Sequence, residues 1–352
     1  MGKKRWIIYG ANGYTGQLIA CEARRRKLTP VLAGRSEAKI TALAEKLDCE
    51  CRFFPLKEPT EIARHLEDVT VVLHCAGPFS ATSAPMLEAC LLSKTHYLDI
   101  TGEIAVFEYA FEQDERARSA GVIICPGVGF DVIPTDCIAA SLKRVLPDAD
   151  HLALGFASRS GYSSGTAKTA VEGLGQGGKI RRAGGIIRVP LAYKVRQIDF
   201  GDGEKHAMTI PWGDVSSAYY TTGIPNIEVY IAATPGVIAW ARMLNTLRPL
   251  LALSLVQGFL QRRITNRVTG PSESQRQQLP AYVWGEVSNT AGKRRTARIR
   301  TANGYEVTVN GSLGVVLKLL DDPPAGGSYT PSQLMGSGFV STLPGSGELV
   351  ID

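Results

Sequence analysis

Near the N-terminus, a short apolar run leads directly into three glycines that are spaced three residues apart. The run is Trp6 to Tyr9, and the glycines are Gly10, Gly13 and Gly16 in YGANGYTG. A helical segment follows. The first glycine permits a tight turn, the second lets a pyrophosphate approach the backbone, and the third lets the helix pack close to the strand. A strand, a glycine turn and a helix N-terminus in this order predict a dinucleotide cradle, whereas glycines used only for packing are the alternative.

The spacing here is GxxGxxG, a variant of the more common GxGxxG. The residues predicted to contact the cofactor in this loop are Gly10, Asn12, Gly13, Tyr14, Thr15 and Gly16.

The second predicted strand indicates which dinucleotide is bound. It ends in VLAGRSEAK, with Arg35 and Ser36 at the position where an NAD-binding domain places an acid for the ribose 2′-hydroxyl. A cation there suits the 2′-phosphate of NADP(H), through charge-assisted hydrogen bonds. Lys39 lies one turn further on, and the nearby Glu37 weakens the argument. The sequence therefore predicts NADP(H), with a merely solvated Arg35 as the alternative.

Strand-like and helix-like segments alternate regularly up to about residue 125, which predicts a doubly wound parallel sheet. From Leu152 the pattern changes to strand-like runs separated by glycine-rich loops: LALGFAS, IRVPLAYKVRQIDF, IEVYIAA, YVWGEVS, TARIRT and YEVTVN. These runs predict a mixed α/β second domain. We expect a Rossmann-type domain over 1–135, a substrate domain over 136–320, and a C-terminal tail over 321–352 that packs back near the cleft between them.

Composition places the chain among ordinary folded proteins, with 44% hydrophobic and 20% charged residues. The seven cysteines form no CxxC pair, and the histidines share no ligand spacing, so we expect free thiols in a reducing, cytoplasmic compartment and no metal site. The N-terminus does not resemble a signal peptide. The sequence also contains no motif typical of nucleic-acid recognition, so no nucleic-acid partner is expected.

One part of the chain is strongly basic. Between residues 241 and 300 there are eleven Arg and Lys and only two acids. The same region contains the apolar run PLLALSLVQGFL at 249–260, which is followed by Arg262 and Arg263. At twelve residues the run is too short to span a bilayer, so a core helix is the default interpretation and an interfacial helix at a lipid surface is the alternative.

Further motifs give a specific resemblance. HCAGPFSATSAPMLEACLLSKTHYLDITGE at 74–103 and CPGVGFDVIPTD at 125–136, together with GANGYTG and AGRS, resemble the saccharopine dehydrogenase-like oxidoreductases, and among them the trans-acting enoyl reductases. Looser similarity continues through GTAKTAVEG, VTGPSESQR, VWGEVSN and GGSYTPSQLMG. The resemblance implies NADP(H) chemistry. By analogy, Gly77, Pro78 and Phe79 would line the nicotinamide side, and Asp99, Thr101, Gly102 and Glu103 would border the crevice.

Hydride transfer needs mainly positioning, and one acid that supplies a proton. We predict Asp131 and Asp136 as catalytic candidates with Thr135 as a positioning hydroxyl, although Thr135 or Asp136 could instead cap the helix that follows. Tyr162 and Lys168, in a glycine-rich loop, are further candidates as a donor and a cation. Lys168 stands where relatives often have a small residue. No Tyr is followed by Lys four residues later, so a Tyr–Lys carbonyl reductase mechanism is not supported.

The sequence thus favours an NADP(H)-dependent oxidoreductase that reduces an apolar substrate of acyl, enoyl or polyketide type, in a role in lipid metabolism. A non-catalytic NADP-binding regulator or lipid-surface scaffold is the first alternative, and an amino-acid dehydrogenase is the second. Peripheral membrane association and a homo-oligomer are left open.

Overall fold

The computed structural model describes residues 4–158, 160, 173, 175–251, 253, 256 and 270–352, and the side chains of all of these except 249 and 250. Tyr162 and Lys168, most of the apolar run 249–260, and three of the eleven basic residues of 241–300 lie outside the described residues. The chain divides into two compact units. Unit 1 comprises Met1–Asp131 and Tyr305–Met335, and unit 2 comprises Val132–Gly304 and Gly336–Asp352.

Strands and helices alternate through the first part of unit 1. In chain order they are β1 (Trp6–Tyr9), α1 (Tyr14–Arg25), β2 (Val31–Gly34), α2 (Glu37–Leu47), β3 (Cys51–Phe53), α3 (Pro59–Arg64), β4 (Val71–His74), α4 (Phe79–Ser93), β5 (His96–Asp99), α5 (Ile104–Glu112), α6 (Asp114–Ala120) and β6 (Ile123–Cys125).

Unit 2 follows with longer strands. Its elements are α7 (Ile133–Val145), β7 (His151–Ser158), β8 (Gly178–Arg182), β9 (Gly185–Val189), β10 (Val195–Asp199), β11 (Glu204–Thr209), α8 (Asp214–Thr222), β12 (Asn226–Ala232), α9 (Pro235–Leu251), α10 (Glu273–Gln278), β13 (Ala281–Ser288) and β14 (Arg294–Thr301). The C-terminal elements are α11 (Gly304–Asp321), β15 (Gly327–Ser328), α12 (Pro331–Met335), α13 (Phe339–Thr342) and β16 (Val350–Ile351).

The sheet of unit 1 has the strand order β15-β6-β5-β4-β1-β2-β3, and its pairings are parallel. β1, β2 and β4 are buried along their whole length, as expected for strands that helices cover on both faces. The chain crosses from one side of β1 to the other between β3 and β4. The crevice of the switch point therefore lies outside the carboxyl ends of β1 and β4, and the predicted doubly wound parallel sheet is confirmed.

The sheet of unit 2 is mixed, as predicted. Its order is β10-β11-β12-β7-β13-β14-β16, with β8 paired to β12 and to β9. β7 runs parallel to β12 and antiparallel to β13, and the β7–β13 ladder extends from Ala281↔Ser158 to Ser288↔His151. At Gly285 of β13, an added Cβ would lie 3.0 Å from Leu142, so the missing side chain lets α7 pack closely on the sheet.

Several predicted elements were wrong in kind or in extent. YEVTVN, predicted as a strand, lies in α11, where burial of Val307, Thr308 and Val309 outweighs the strand preference of their β-branched side chains. The run IRVPLAYKVRQIDF is divided into β9 and β10 by a loop that contains Pro190, which cannot donate to a ladder. The helix-like segment over 104–119 is two helices that meet at Gln113.

Candidate dinucleotide-binding site

The turn between β1 and α1 is packed so tightly against neighbouring backbone that two of its positions require glycine. Gly10 has φ +82°, and a Cβ placed there would lie 2.8 Å from the backbone nitrogen of Ala76, just after β4. At Gly16 an added Cβ would overlap the carbonyl oxygen of Gly10 and lie 2.9 Å from Ala11 Cα. The glycines therefore hold the turn against both β4 and the first turn of α1.

The N-terminus of α1 lacks the usual capping groups. Gly13 is the N-cap, no side chain caps the helix, and its first turn contains no acid. The first N–H groups of a helix and its dipole together favour an anion at this end. This end of α1, at the switch point of the sheet, is therefore suited to a pyrophosphate.

The N-terminus of α4, which follows the neighbouring strand β4, is arranged differently. The carboxylate of Glu103 accepts hydrogen bonds from the backbone N–H of Phe79 at 3.0 Å and from that of Ser80 at 2.7 Å. This side chain fills the anion position that α1 leaves open. Of these two helix ends, only α1 offers its N–H groups to a ligand phosphate.

The residues that follow β2 lie beside the same turn. An added Cβ at Gly34 would be 3.0 Å from Asn12 Oδ1, so the end of β2 touches the loop after β1. Arg35 comes next and is exposed, and within the described part of the chain it makes no ion pair. Ser36 is the N-cap of α2, although its hydroxyl makes no capping bond there. A cation and a hydroxyl thus follow β2, at the position predicted to meet the 2′-phosphate of NADP(H).

Gly77, Pro78 and Phe79 connect β4 to α4. The Gly77–Pro78 peptide bond is cis, and Gly77 is exposed. The ring of Phe79 is buried and packs edge-on against His74, with the ring centroids 5.3 Å apart. Only the backbone of Phe79 and the two residues before it can therefore face a ligand, since the aromatic side chain belongs to the core.

His74, which sequence analysis did not select, ends β4 and is completely buried. Its Nε2 lies 3.0 Å from Thr82 Oγ1, while Nδ1 has no hydrogen-bond partner among the described residues. Burial lowers the pKa of His74 to about 3, so its ring is neutral at physiological pH. The only sequence signal for it is a polar residue at the end of an apolar strand.

Asp99 at the end of β5 is also completely buried and ties two loops together. Its Oδ1 accepts the N–H groups of Thr101 and Gly127, both at 2.9 Å, and its Oδ2 accepts the hydroxyl of Tyr97 at 2.7 Å. Burial raises the pKa of Asp99 to about 6, despite these hydrogen bonds. Asp99 therefore positions the loops that follow β5 and β6.

Asp131 ends the first segment of unit 1 and lies against the loop after β5. An added Cβ at Gly102 would be 2.9 Å from Asp131 Oδ2. Burial raises the pKa of Asp131 to about 7. At neutral pH this carboxyl group is therefore divided between its protonated and ionised forms, the property that a general acid needs.

Thr135 and Asp136 lie in unit 2, inside α7 and not before it. The helix begins at Ile133 with Val132 as N-cap, so the alternative in which either residue caps the helix is wrong. Both side chains are buried: Thr135 donates to Asp214 Oδ1 at 2.7 Å, and Asp136 accepts from the Thr221 hydroxyl. These bonds join α7 to α8, and their partners are so distant in sequence that no local pattern reveals them.

Comparison with known proteins agrees with this geometry. Residues 6–125 match the family model described as the saccharopine dehydrogenase NADP binding domain. This part of the chain is therefore similar to that domain. The match confirms the predicted family resemblance and the predicted binding of NADP. The roles of the individual residues of this chain in that binding stay predictions.

Individual relatives extend the comparison. A saccharopine dehydrogenase-like oxidoreductase of Homo sapiens is 28% identical over 214 residues, which cover 53% of this chain and 50% of that protein. A putative trans-acting enoyl reductase of Mycobacterium tuberculosis is 23% identical, over 97% of this chain and 95% of that protein. The chain spans about half, or less, of the length of the animal relatives that it matches.

Among solved structures, apo saccharopine dehydrogenase (L-Glu forming) from Saccharomyces cerevisiae aligns over 99% of both chains with a TM-score of 0.64 and 12% identity. At this identity the match describes the fold, which is the two-unit α/β arrangement predicted from the sequence.

Proposed function

We propose that the protein is an NADPH-dependent reductase of an apolar substrate with an acyl, enoyl or polyketide-like group. The observation that carries the proposal is the N-terminus of α1, which no side chain caps, together with the exposed Arg35 after β2, which makes no ion pair with any described residue. The N–H groups at the start of α1 would hold the pyrophosphate, while Arg35 and Ser36 would hold the 2′-phosphate. The cofactor would supply the hydride.

Asp131 is the proposed proton donor. When hydride reaches the substrate, negative charge develops on an oxygen or carbon atom, and a carboxyl group with a pKa near 7 can neutralise that charge. Asp136 is not retained as a donor, because it is fully buried and already accepts a hydrogen bond from Thr221. Tyr162 and Lys168 stay candidates from the sequence alone.

The direct test is NADPH oxidation with three panels of substrate: enoyl thioesters, long-chain carbonyl compounds and amino acids paired with 2-oxo acids. Turnover with the first or the second supports the proposal. Turnover only with the third would make the chain an amino-acid dehydrogenase, and tight NADPH binding without turnover on any panel would favour the non-catalytic regulator.

The proton donor is tested separately by the pH dependence of kcat/KM. A general acid works in its protonated form, so activity is expected to fall as the pH rises through about 7. Asp131→Asn should lower kcat by about 10²-fold or more and abolish this descending limb. Asp99→Asn is the matched control, since it removes the other carboxyl group of unit 1 whose pKa burial raises. If the limb disappears with Asp99→Asn and persists with Asp131→Asn, the assignment is wrong.

A further inference from the structure

Helix α9 of unit 2 exposes a row of large apolar side chains. Trp240 is 63% exposed, Met243 50% and Leu247 42%. Their intervals of three and four residues place them on one face of the helix, and Val237, 50% exposed, extends the row by a turn. We call Trp240, Met243 and Leu247 the apolar row. Scattered apolar residues on a surface are ordinary, but a continuous helical row is typical of an interaction site.

The opposite face of α9 fastens the helix to unit 2. Ile238 is buried, and the side chain of Asn245 binds Leu191 through both its backbone N–H, at 2.7 Å, and its carbonyl oxygen, at 3.1 Å. Arg248 donates to the carbonyl oxygen of Gln176 at 2.9 Å. The apolar row is therefore on the side of α9 that these anchors leave outside.

Cations gather beside the C-terminal half of α9. Lys179 donates to Gln176 Oε1 at 2.9 Å, so it shares Gln176 with Arg248, and Arg188 stands opposite Lys179 in the β8–β9 ladder. None of the three forms an ion pair among the described residues. Residues 175–193 and 233–251 contain no Asp or Glu at all. We call Lys179, Arg188 and Arg248 the cation cluster.

The combination of apolar and cationic groups indicates which partner could bind this surface, a second copy of the chain or a lipid bilayer. In a symmetric dimer formed through this face, the same patch would meet itself, and the cation cluster would approach its own copy without acids to compensate. A bilayer with anionic headgroups offers hydrocarbon for the apolar row and phosphate for the cations. No helix among the described residues is long and apolar enough to cross a membrane, so contact would be confined to the interface.

We propose that the apolar row and the cation cluster dock unit 2 on anionic phospholipid surfaces. The inference extends the proposed function, because a protein at such a surface meets apolar substrates where they concentrate. Its test uses no catalytic readout, so a failure of docking and a failure of the hydride chemistry are distinguishable.

The chain carries its own probe for this test. Of its four tryptophans, Trp6 and Trp284 are each 3% exposed and Trp212 is partly buried, which leaves Trp240 as the one that solvent reaches freely. Phosphatidylcholine vesicles with and without phosphatidylglycerol are titrated into the full chain. Docking is expected to shift the emission to the blue and to protect it from acrylamide when phosphatidylglycerol is present, and high salt should weaken the effect. Co-sedimentation gives an independent measurement.

The double variant Met243→Ser/Leu247→Ser keeps Trp240 and should weaken vesicle binding at least about tenfold, because two apolar side chains no longer enter the hydrocarbon. Arg188→Gln should weaken binding to anionic vesicles several-fold, by about 1 kcal/mol for one cation at the surface converted to affinity, and should leave the thermal transition unchanged. Leu92→Ser is the control, since Leu92 is 56% exposed on unit 1. Unshifted emission with anionic vesicles, or a dimer in solution that the double variant dissociates, would overturn the proposal.

Discussion

Two helices of unit 1, α1 and α4, begin at the same edge of the same sheet. They differ in whether an acidic side chain of the protein binds their N-terminus. α4 receives the carboxylate of Glu103 on the N–H groups of Phe79 and Ser80, whereas α1 has no capping side chain and no acid in its first turn. Both N-termini carry the same partial positive charge, so the difference lies in which negatively charged group binds there. The protein itself supplies the anion at the start of α4, whereas the start of α1 is the proposed position of a ligand phosphate.

The largest expected effect comes from adding a side chain at Gly16, inside the turn between β1 and α1. In Gly16→Ala the new Cβ would overlap the carbonyl oxygen of Gly10, so the turn must open. We expect NADPH binding to fall by at least about 100-fold, since the N–H groups lose their alignment. Fluorescence titration with NADPH measures the change, and Gly338→Ala, where an added Cβ meets nothing within 4 Å, is the control. Unchanged binding would show that the loop does not form the cradle.

Next in size is the reversal of charge at Arg35. Arg35→Asp replaces an attractive charge with a repulsive one at the 2′-phosphate, and charge-assisted hydrogen bonds contribute about 1.5–3 kcal/mol each. The ratio of NADPH to NADH affinity should therefore fall by about two orders of magnitude. Lys57→Asp places the same change at another exposed cation of unit 1. If both variants keep the wild-type preference, Arg35 does not select the cofactor.

An acid in the first turn of α1 would make this end resemble that of α4. Thr15→Asp should lower NADPH affinity by about tenfold, because the new carboxylate occupies the anion position and repels the pyrophosphate. Ser80→Asp is the matched substitution at α4, and it should leave NADPH affinity unchanged. Equal losses from both variants would remove the distinction between the two helix ends.

The smallest effect is expected from Glu103→Gln. This change keeps an acceptor for one N–H group but removes the charge, so the free energy of unfolding should fall by about 1 kcal/mol. NADPH affinity should stay within about twofold of wild type, because Glu103 closes α4 and not α1. Urea denaturation and NADPH titration on the same samples measure both quantities. A large loss of NADPH affinity at unchanged stability would place Glu103 in the cofactor site.

A similar contrast separates the acids of unit 1 from those of unit 2. In unit 1, Asp99 and Asp131 have pKa values raised by burial to about 6 and about 7, close to the pH at which a proton can be exchanged. In unit 2, Asp136 accepts from Thr221 and Asp214 accepts from Thr135, and these pairs join two helices. An acid near a strand end is thus ambiguous from the sequence, and its surroundings decide whether it can transfer a proton.

Local features were predictable because neighbouring residues create them. The glycine turn, the uncapped start of α1 and the cation after β2 each depend on a few consecutive residues, and the alternation of strands and helices was enough for the parallel sheet. The sequence by itself therefore determined the cofactor class and the parallel sheet built by residues 6–125.

Only the tertiary structure decided the features that join distant parts of the chain. Glu103 reaches the start of α4 across 24 residues, and Thr135 meets Asp214 across 79. Burial turned the strand-like YEVTVN into α11, and β15 joined the first sheet from the far end of the sequence. The local sequence carries no information about these distant partners, because burial and strand pairing depend on how the whole chain packs. For the same reason, the apolar row on α9 can be recognised only when the structure shows which face of the helix is anchored to unit 2.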